Sequence, residues 1–63
     1  MYLKVVRIRH NGERIESEGD SFKDDINKVK AALDKWVPGV YRAYMCYDRH
    51  GNMVASKGMF GAD

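Results

Sequence analysis

The sequence holds one cysteine, one proline, one tryptophan and two histidines in 63 residues, and each scarcity closes off a class of protein. A single cysteine cannot form an intramolecular disulfide, and with two histidines it falls short of the four ligands a structural zinc takes. No apolar run approaches the roughly 18 residues of a membrane span, and the leading MYLKVVRIRH contains no signal-peptide core. No repeat, linker or low-complexity segment divides the chain, and the glycines (12, 19, 39, 51, 58, 61) show no phosphate-cradling spacing. These absences predict one small soluble, cytoplasmic domain over residues 1–63. Ordering each residue costs about 1.5 kcal/mol, so such a domain must bury most of its apolar side chains.

What is present is charge, and it is segmented. The formal net charge is +2. Residues 1–14 carry Lys4, Arg7, Arg9 and Arg14 against Glu13 alone. Residues 15–25 reverse this, with Glu16, Glu18, Asp20, Asp24 and Asp25 against Lys23. The remainder is mildly basic. A dipolar chain of this kind lacks the broad basic stripe that nucleic-acid binding usually requires.

The pattern predicts an α+β fold of order ββαββ: a four-stranded, mostly antiparallel sheet with one helix packed on one face. Residues 2–18 read as a hairpin, since Tyr2 to His10 is β-rich and Asn11-Gly12 suits a two-residue type I′ turn. That turn places Ile8 opposite Ile15, Arg7 opposite Glu16 and Arg9 opposite Arg14. Residues 21–37 read as a helix capped by Asp20 or Ser21, with Phe22, Ile26, Val29, Leu33 and Trp36 or Val37 as its apolar stripe and Pro38-Gly39 as its stop. Residues 40–60 read as a second hairpin, turning at Asp48–Asn52 with Gly51 in a left-handed position. Residues 61–63 are left as a tail.

The Ile8–Ile15 pair marks the face expected to lie under the helix, together with Val6, Tyr41, Ala43, Met45, Tyr47, Met53, Ala55 and Lys57. The opposite, uncovered face would then carry Leu3, Val5, Val40, Tyr44, Cys46, Val54 and Phe60 beside Arg7, Arg9, Arg14 and Arg42. An apolar patch edged with arginines has the composition of a protein interface. The like charges of Arg9 and Arg14 across the ladder suggest an anion clamp, because guanidinium groups bind carboxylate or phosphate bidentately.

No catalytic signature appears. Cys46, Asp48 and His50 alternate near the second turn, but the alternation breaks at His50 within the loop, and a lone strand cysteine is more often a small packing residue. His10 and His50 sit at turns without evident partners. The chain reads as a non-enzyme with no cofactor and no metal. In overall design it looks like the small proteins that bacteriophages and mobile elements encode to bind and inhibit host factors or defence enzymes. That resemblance rests on size and plainness, and it implies an inhibitor or modulator acting by protein–protein contact.

The residues expected to contact a larger protein partner are Arg7, Arg9, Arg14, Arg42 and Tyr44, with Leu3, Val5 and Phe60 as apolar contacts. A homodimer through the open sheet face is a further expectation. The alternative is a small protein that binds RNA or single-stranded DNA on the same basic face. The acidic segment 16–25 offers a second candidate surface.

Overall fold

The computed structural model describes residues 1–20 and 23–58. The expected cap at Ser21, the stripe residue Phe22, the contact residue Phe60 and the tail 61–63 lie outside the described residues. Strands β1 (Leu3–Arg9) and β2 (Arg14–Gly19) precede helix α1 (Ile26–Asp34), and β3 (Tyr41–Tyr47) and β4 (Met53–Gly58) follow it. The strands form one sheet in the order β2-β1-β3-β4, and each neighbouring pair is antiparallel. The fold is the expected ββαββ arrangement.

Both turns are built the same way. In the first, the Gly12 N–H donates to the Arg9 carbonyl and the Arg9 N–H donates to the Glu13 carbonyl. In the second, Gly51 donates to Asp48 and Asp48 to Asn52 in the same pattern. Each is a three-residue loop ending on a glycine with positive φ, at +91° for Gly12 and +84° for Gly51. The second turn has the form expected from sequence. The first is one residue longer than the expected Asn11-Gly12 type I′ turn, and that difference moves the whole register.

With the longer loop, Ile8 faces Arg14, Arg7 faces Ile15 and Val6 faces Glu16. The expected Ile8–Ile15, Arg7–Glu16 and Arg9–Arg14 pairs do not form. Because side chains alternate with period two, a slip of one residue moves a strand's whole set of side chains to the other face. On the second hairpin Tyr47 faces Met53 as expected, but the register then shifts, so that Ala55 lies opposite Cys46. Val54 is the extra residue of that bulge.

The helix covers the face expected to be open. Val29 is buried with Leu3, Val5, Tyr44, Cys46 and Ala55, and Ile26, Leu33 and Val37 pack against this cluster. Ala43, Met45 and Tyr47, expected beneath the helix, lie with Val6 and Ile8 on the opposite face. The central strands explain the inversion. In β1 and β3 apolar residues occupy both faces, so neither face declares itself in the sequence.

The helix starts later than expected. Asp25 is its N-cap, with the Oδ1 oxygen accepting the Asn27 N–H at 2.8 Å. It ends at Lys35. Lys28–Asp24 and Lys30–Asp34 form i,i+4 ion pairs on its exposed side. The apolar stripe is the expected one over Ile26, Val29 and Leu33; beyond the helix end Val37 still packs against the same cluster, whereas Trp36 is exposed.

Candidate arginine–aromatic interface

The residues just beyond the helix C-terminus lie against the turn end of β1 and the start of β3. The Trp36 N–H donates to the Leu33 carbonyl, and the Trp36 carbonyl accepts both the Val40 N–H at 2.8 Å and the Tyr41 N–H at 3.0 Å. This chain crossing fixes Trp36 beside Tyr41, and their rings stack at 6.1 Å and 29°. The His10 ring Nε2 donates to the Pro38 carbonyl and lies 3.1 Å from the Gly39 carbonyl, which holds the first turn against the same loop.

Arg7 completes the stack. Its pairing partner is Tyr44, so it points to the helix side of the sheet, yet the helix cluster stops at Leu3 and Val5. Arg7 Nη1 donates to the Tyr41 hydroxyl at 3.0 Å and Nη2 to the Ser17 hydroxyl at 3.1 Å. The guanidinium carbon lies 5.4 Å from the Tyr41 ring centroid, within cation–π range.

Arg42 lies nearby on the same face. Pairing of β1 with β3 shifts between Ile8 and Arg9, leaving Arg42 as the bulged residue between Ala43, which faces Ile8, and Tyr41, which faces Arg9. Counting back from Tyr44 places Arg42 on the helix side, and the Arg9 pairing places Tyr41 there too. Arg42 is thus a diagonal neighbour of Arg7, a separation long side chains can span.

What distinguishes this corner is its unanswered charge. Arg9 pairs with Glu13 at 3.4 Å and Arg14 with Glu16 at 2.6 Å. Among the described residues neither Arg7 nor Arg42 has an acidic partner. The Nε–H groups of both are buried without an acceptor. An unsatisfied buried donor costs about 1–3 kcal/mol, and both Nε atoms lie beneath the surface, out of direct reach of a partner.

The expected contact residues are therefore divided. Arg7, Arg9 and Arg42 come together at this corner. Arg14 lies on the opposite face, so Arg9 and Arg14 form no clamp. Leu3, Val5 and Tyr44 are buried beneath the helix, Tyr44 completely, and present no surface. The Tyr44 hydroxyl donates to Asp34 Oδ1 at 2.6 Å. Burial first, and that bond second, push the Tyr44 phenol well above its ordinary range. The same bond holds the Asp34 carboxyl below its usual range.

Trp36 and Tyr41 were missed as site residues because both were assigned inward. Trp36 is 48% exposed. The readable sign was its position two residues ahead of Pro38, where a helix is ending.

The face away from the helix is less open than its lack of a covering layer implies. Val6, Ile8 and Ala43 are buried there, and Met45 and Tyr47 pack against them. Lys4 and Arg14 both pair with Glu16, whose carboxyl is held below its usual range by Arg14 first and Lys4 second. Beside them a cleft of about 320 Å³ is lined by Tyr2, Lys4, Arg14, Glu18, Tyr47 and Arg49, among others. Its groups are already engaged: the Tyr2 hydroxyl donates to Glu18, and Arg49 sits over the Tyr2 ring at 5.6 Å.

The second turn carries structural roles. Asp48 Oδ1 accepts the His50 and Asn52 N–H groups at 2.8 and 3.0 Å, and these bonds, Asn52 first, hold the carboxyl below its usual range. Cys46 is fully buried, and burial pushes its thiol up to about 11, so it packs as an apolar residue. Among the described residues no three His, Cys, Asp or Glu side chains are grouped to hold a metal ion. No described helix is long and apolar enough to cross a membrane. Comparison with known proteins returned no matching family model, no similar curated protein and no similar solved structure.

Proposed function

We propose that this protein is a non-enzymatic binding protein that acts by protein–protein contact, as an inhibitor or modulator of a larger partner, through the corner formed by Arg7, Arg42, Tyr41 and Trp36. The observation that carries the reading is the half-exposed Trp36 stacked on Tyr41 beside two arginines without acidic partners. Trp, Tyr and Arg are the residue types that dominate binding energy at protein interfaces. Held by backbone bonds at Val40 and Tyr41, they lose little conformational freedom on contact.

A second reading is a single-stranded nucleic-acid binder. The exposed indole favours it, since bases stack on such rings beside arginine. Against it, Glu13 lies at the same end of the sheet, paired with Arg9, and interrupts the positive field a phosphate backbone would track.

The experiment is capture from lysate of the native host, identification of the bound protein, and its purification for binding measurements with wild type, Trp36→Ala and Met53→Ala. Met53 is exposed on the opposite side of the sheet. Loss of binding in Trp36→Ala alone supports the reading. Equal binding by all three proteins rejects the corner, and recovery of nucleic acid with steep salt dependence replaces this reading with the second.

A further inference from the structure

Resting on that reading, we infer that the partner docks with an acidic peptide segment, presenting a carboxylate to the Arg7 and Arg42 guanidinium groups and an apolar side chain to Trp36. The argument is charge complementarity. Every other arginine placed on β1 or β2 already has its carboxylate: Arg9 has Glu13 and Arg14 has Glu16. Arg7 instead spends its Nη donors on two neutral hydroxyls, Tyr41 and Ser17, and its Nε donor on nothing. Arg42 makes no side-chain hydrogen bond or ion pair among the described residues, and its Nε is likewise buried.

Two guanidinium groups as diagonal neighbours on one sheet face match a single carboxylate, which accepts from both at once. The aromatic pair alongside sets the second element. Trp36 has one face on Tyr41 and is half exposed, so an apolar or aromatic side chain adjacent to the carboxylate can cover the remainder. A single carboxylate suits the corner better than a run of phosphates because negative charge flanks it, with Glu13 to one side and the Asp34 carboxylate, paired with Lys30, at the end of α1.

Trp36 is the only tryptophan, so its emission reports on this corner directly. The test titrates the full chain with a blocked pentapeptide Gly-Glu-Phe-Glu-Gly, its Gly-Gln-Phe-Gln-Gly counterpart and a short oligothymidine. Trp36 emission and the Arg Nε–H resonances are followed together. The inference expects the glutamate peptide to shift the Arg7 and Arg42 Nε–H signals and to bind at least about tenfold more tightly than the glutamine peptide, the increment of one charge-assisted hydrogen bond.

Arg42→Gln should remove that preference while far-UV circular dichroism stays unchanged. If that variant fails to fold, the two peptides on the wild-type chain still decide the matter. Equal binding of both peptides, or unmoved Arg7 and Arg42 signals, overturns the carboxylate while leaving the protein-contact reading in place. Shifts produced by oligothymidine and not by the glutamate peptide overturn both.

Discussion

Gly12 and Gly58 provide a matched pair for testing how β4 supports the Arg42 bulge. Both have positive φ, at +91° and +96°. An alanine at either position therefore carries about the same backbone penalty, roughly 1–2 kcal/mol for a left-handed L-residue. Both substitutions also reduce the freedom of the unfolded chain by a similar amount, which cancels in the comparison. The surroundings differ. Around Gly12 a Cβ would meet nothing within 4 Å, whereas at Gly58 it would lie 2.1 Å from the Arg42 carbonyl oxygen and 2.8 Å from the Ala43 Cα.

Those are backbone atoms of a central strand, so relief requires moving β3 against β4. Overpacking of this kind adds about 1–3 kcal/mol. Gly58→Ala should thus lose that much more stability than Gly12→Ala, or about 4–24 °C in melting temperature at 4–8 °C per kcal/mol. Urea and thermal unfolding followed by circular dichroism measure both variants. Equal losses would refute the close packing of β4 on Arg42, and with it the structural support of that side chain.

Three further outcomes are expected. Val29→Ala removes the only fully buried side chain of the helix and should cost about 2 kcal/mol in urea unfolding; a loss under about 0.5 kcal/mol would contradict the placement of α1 over Leu3 and Val5. Asp34 has a lowered carboxyl pKa, so its contribution to stability is present above the ordinary value of 3.8 and is lost as pH falls through its folded value. Tyr44→Phe removes the largest cause of that lowering, so the gap in melting temperature between wild type and variant should narrow from neutral pH to about pH 2.5. A constant gap would mean the bond owes nothing to the charge. Cys46 should resist aromatic disulfide reagents in the native chain and react at the rate of unfolding; fast native labelling would show that it is not buried.

The order of elements was readable because each rests on a local rule: glycine-closed turns, an apolar stripe at helical spacing, and a proline after it. The faces were not readable, and the reason lies in a few residues. His10-Asn11-Gly12 serves equally as part of a two-residue or a three-residue loop, and hydrogen bonds from Gly12 to Arg9 and from Arg9 to Glu13 select the longer. The one-residue difference replaced an Ile8–Ile15 pair with Ile8–Arg14. With apolar side chains on both faces of β1 and β3, no other pair in the sequence could correct it. The bulges at Arg42 and Val54 then offset the reversal locally, so that Tyr41 and Ala55 lie on the helix side as expected.

The arginines survived this reversal better than the apolar contacts did. Arg7, Arg9 and Arg42 remain together because odd residues of β1 share a face whatever lies across the first turn. Tyr44, Leu3 and Val5 share that face too, but nearer the helix, where they became core. The basic block at residues 1–14 turns out to be split, with Arg7 and Arg9 on the helix side and Lys4 and Arg14 on the other. Of the arginines on the helix side, Arg9 has Glu13, while Arg7 and Arg42 have no acidic partner among the described residues.

The most direct measurement of the central claim places a photo-crosslinking benzoylphenylalanine at position 36 in one protein and at position 53 in another, each exposed to the host lysate. The corner reading expects a discrete protein adduct from position 36 that is competed by unlabelled wild type and absent from position 53. Adducts from position 53 alone, or adducts to nucleic acid from position 36, would contradict it.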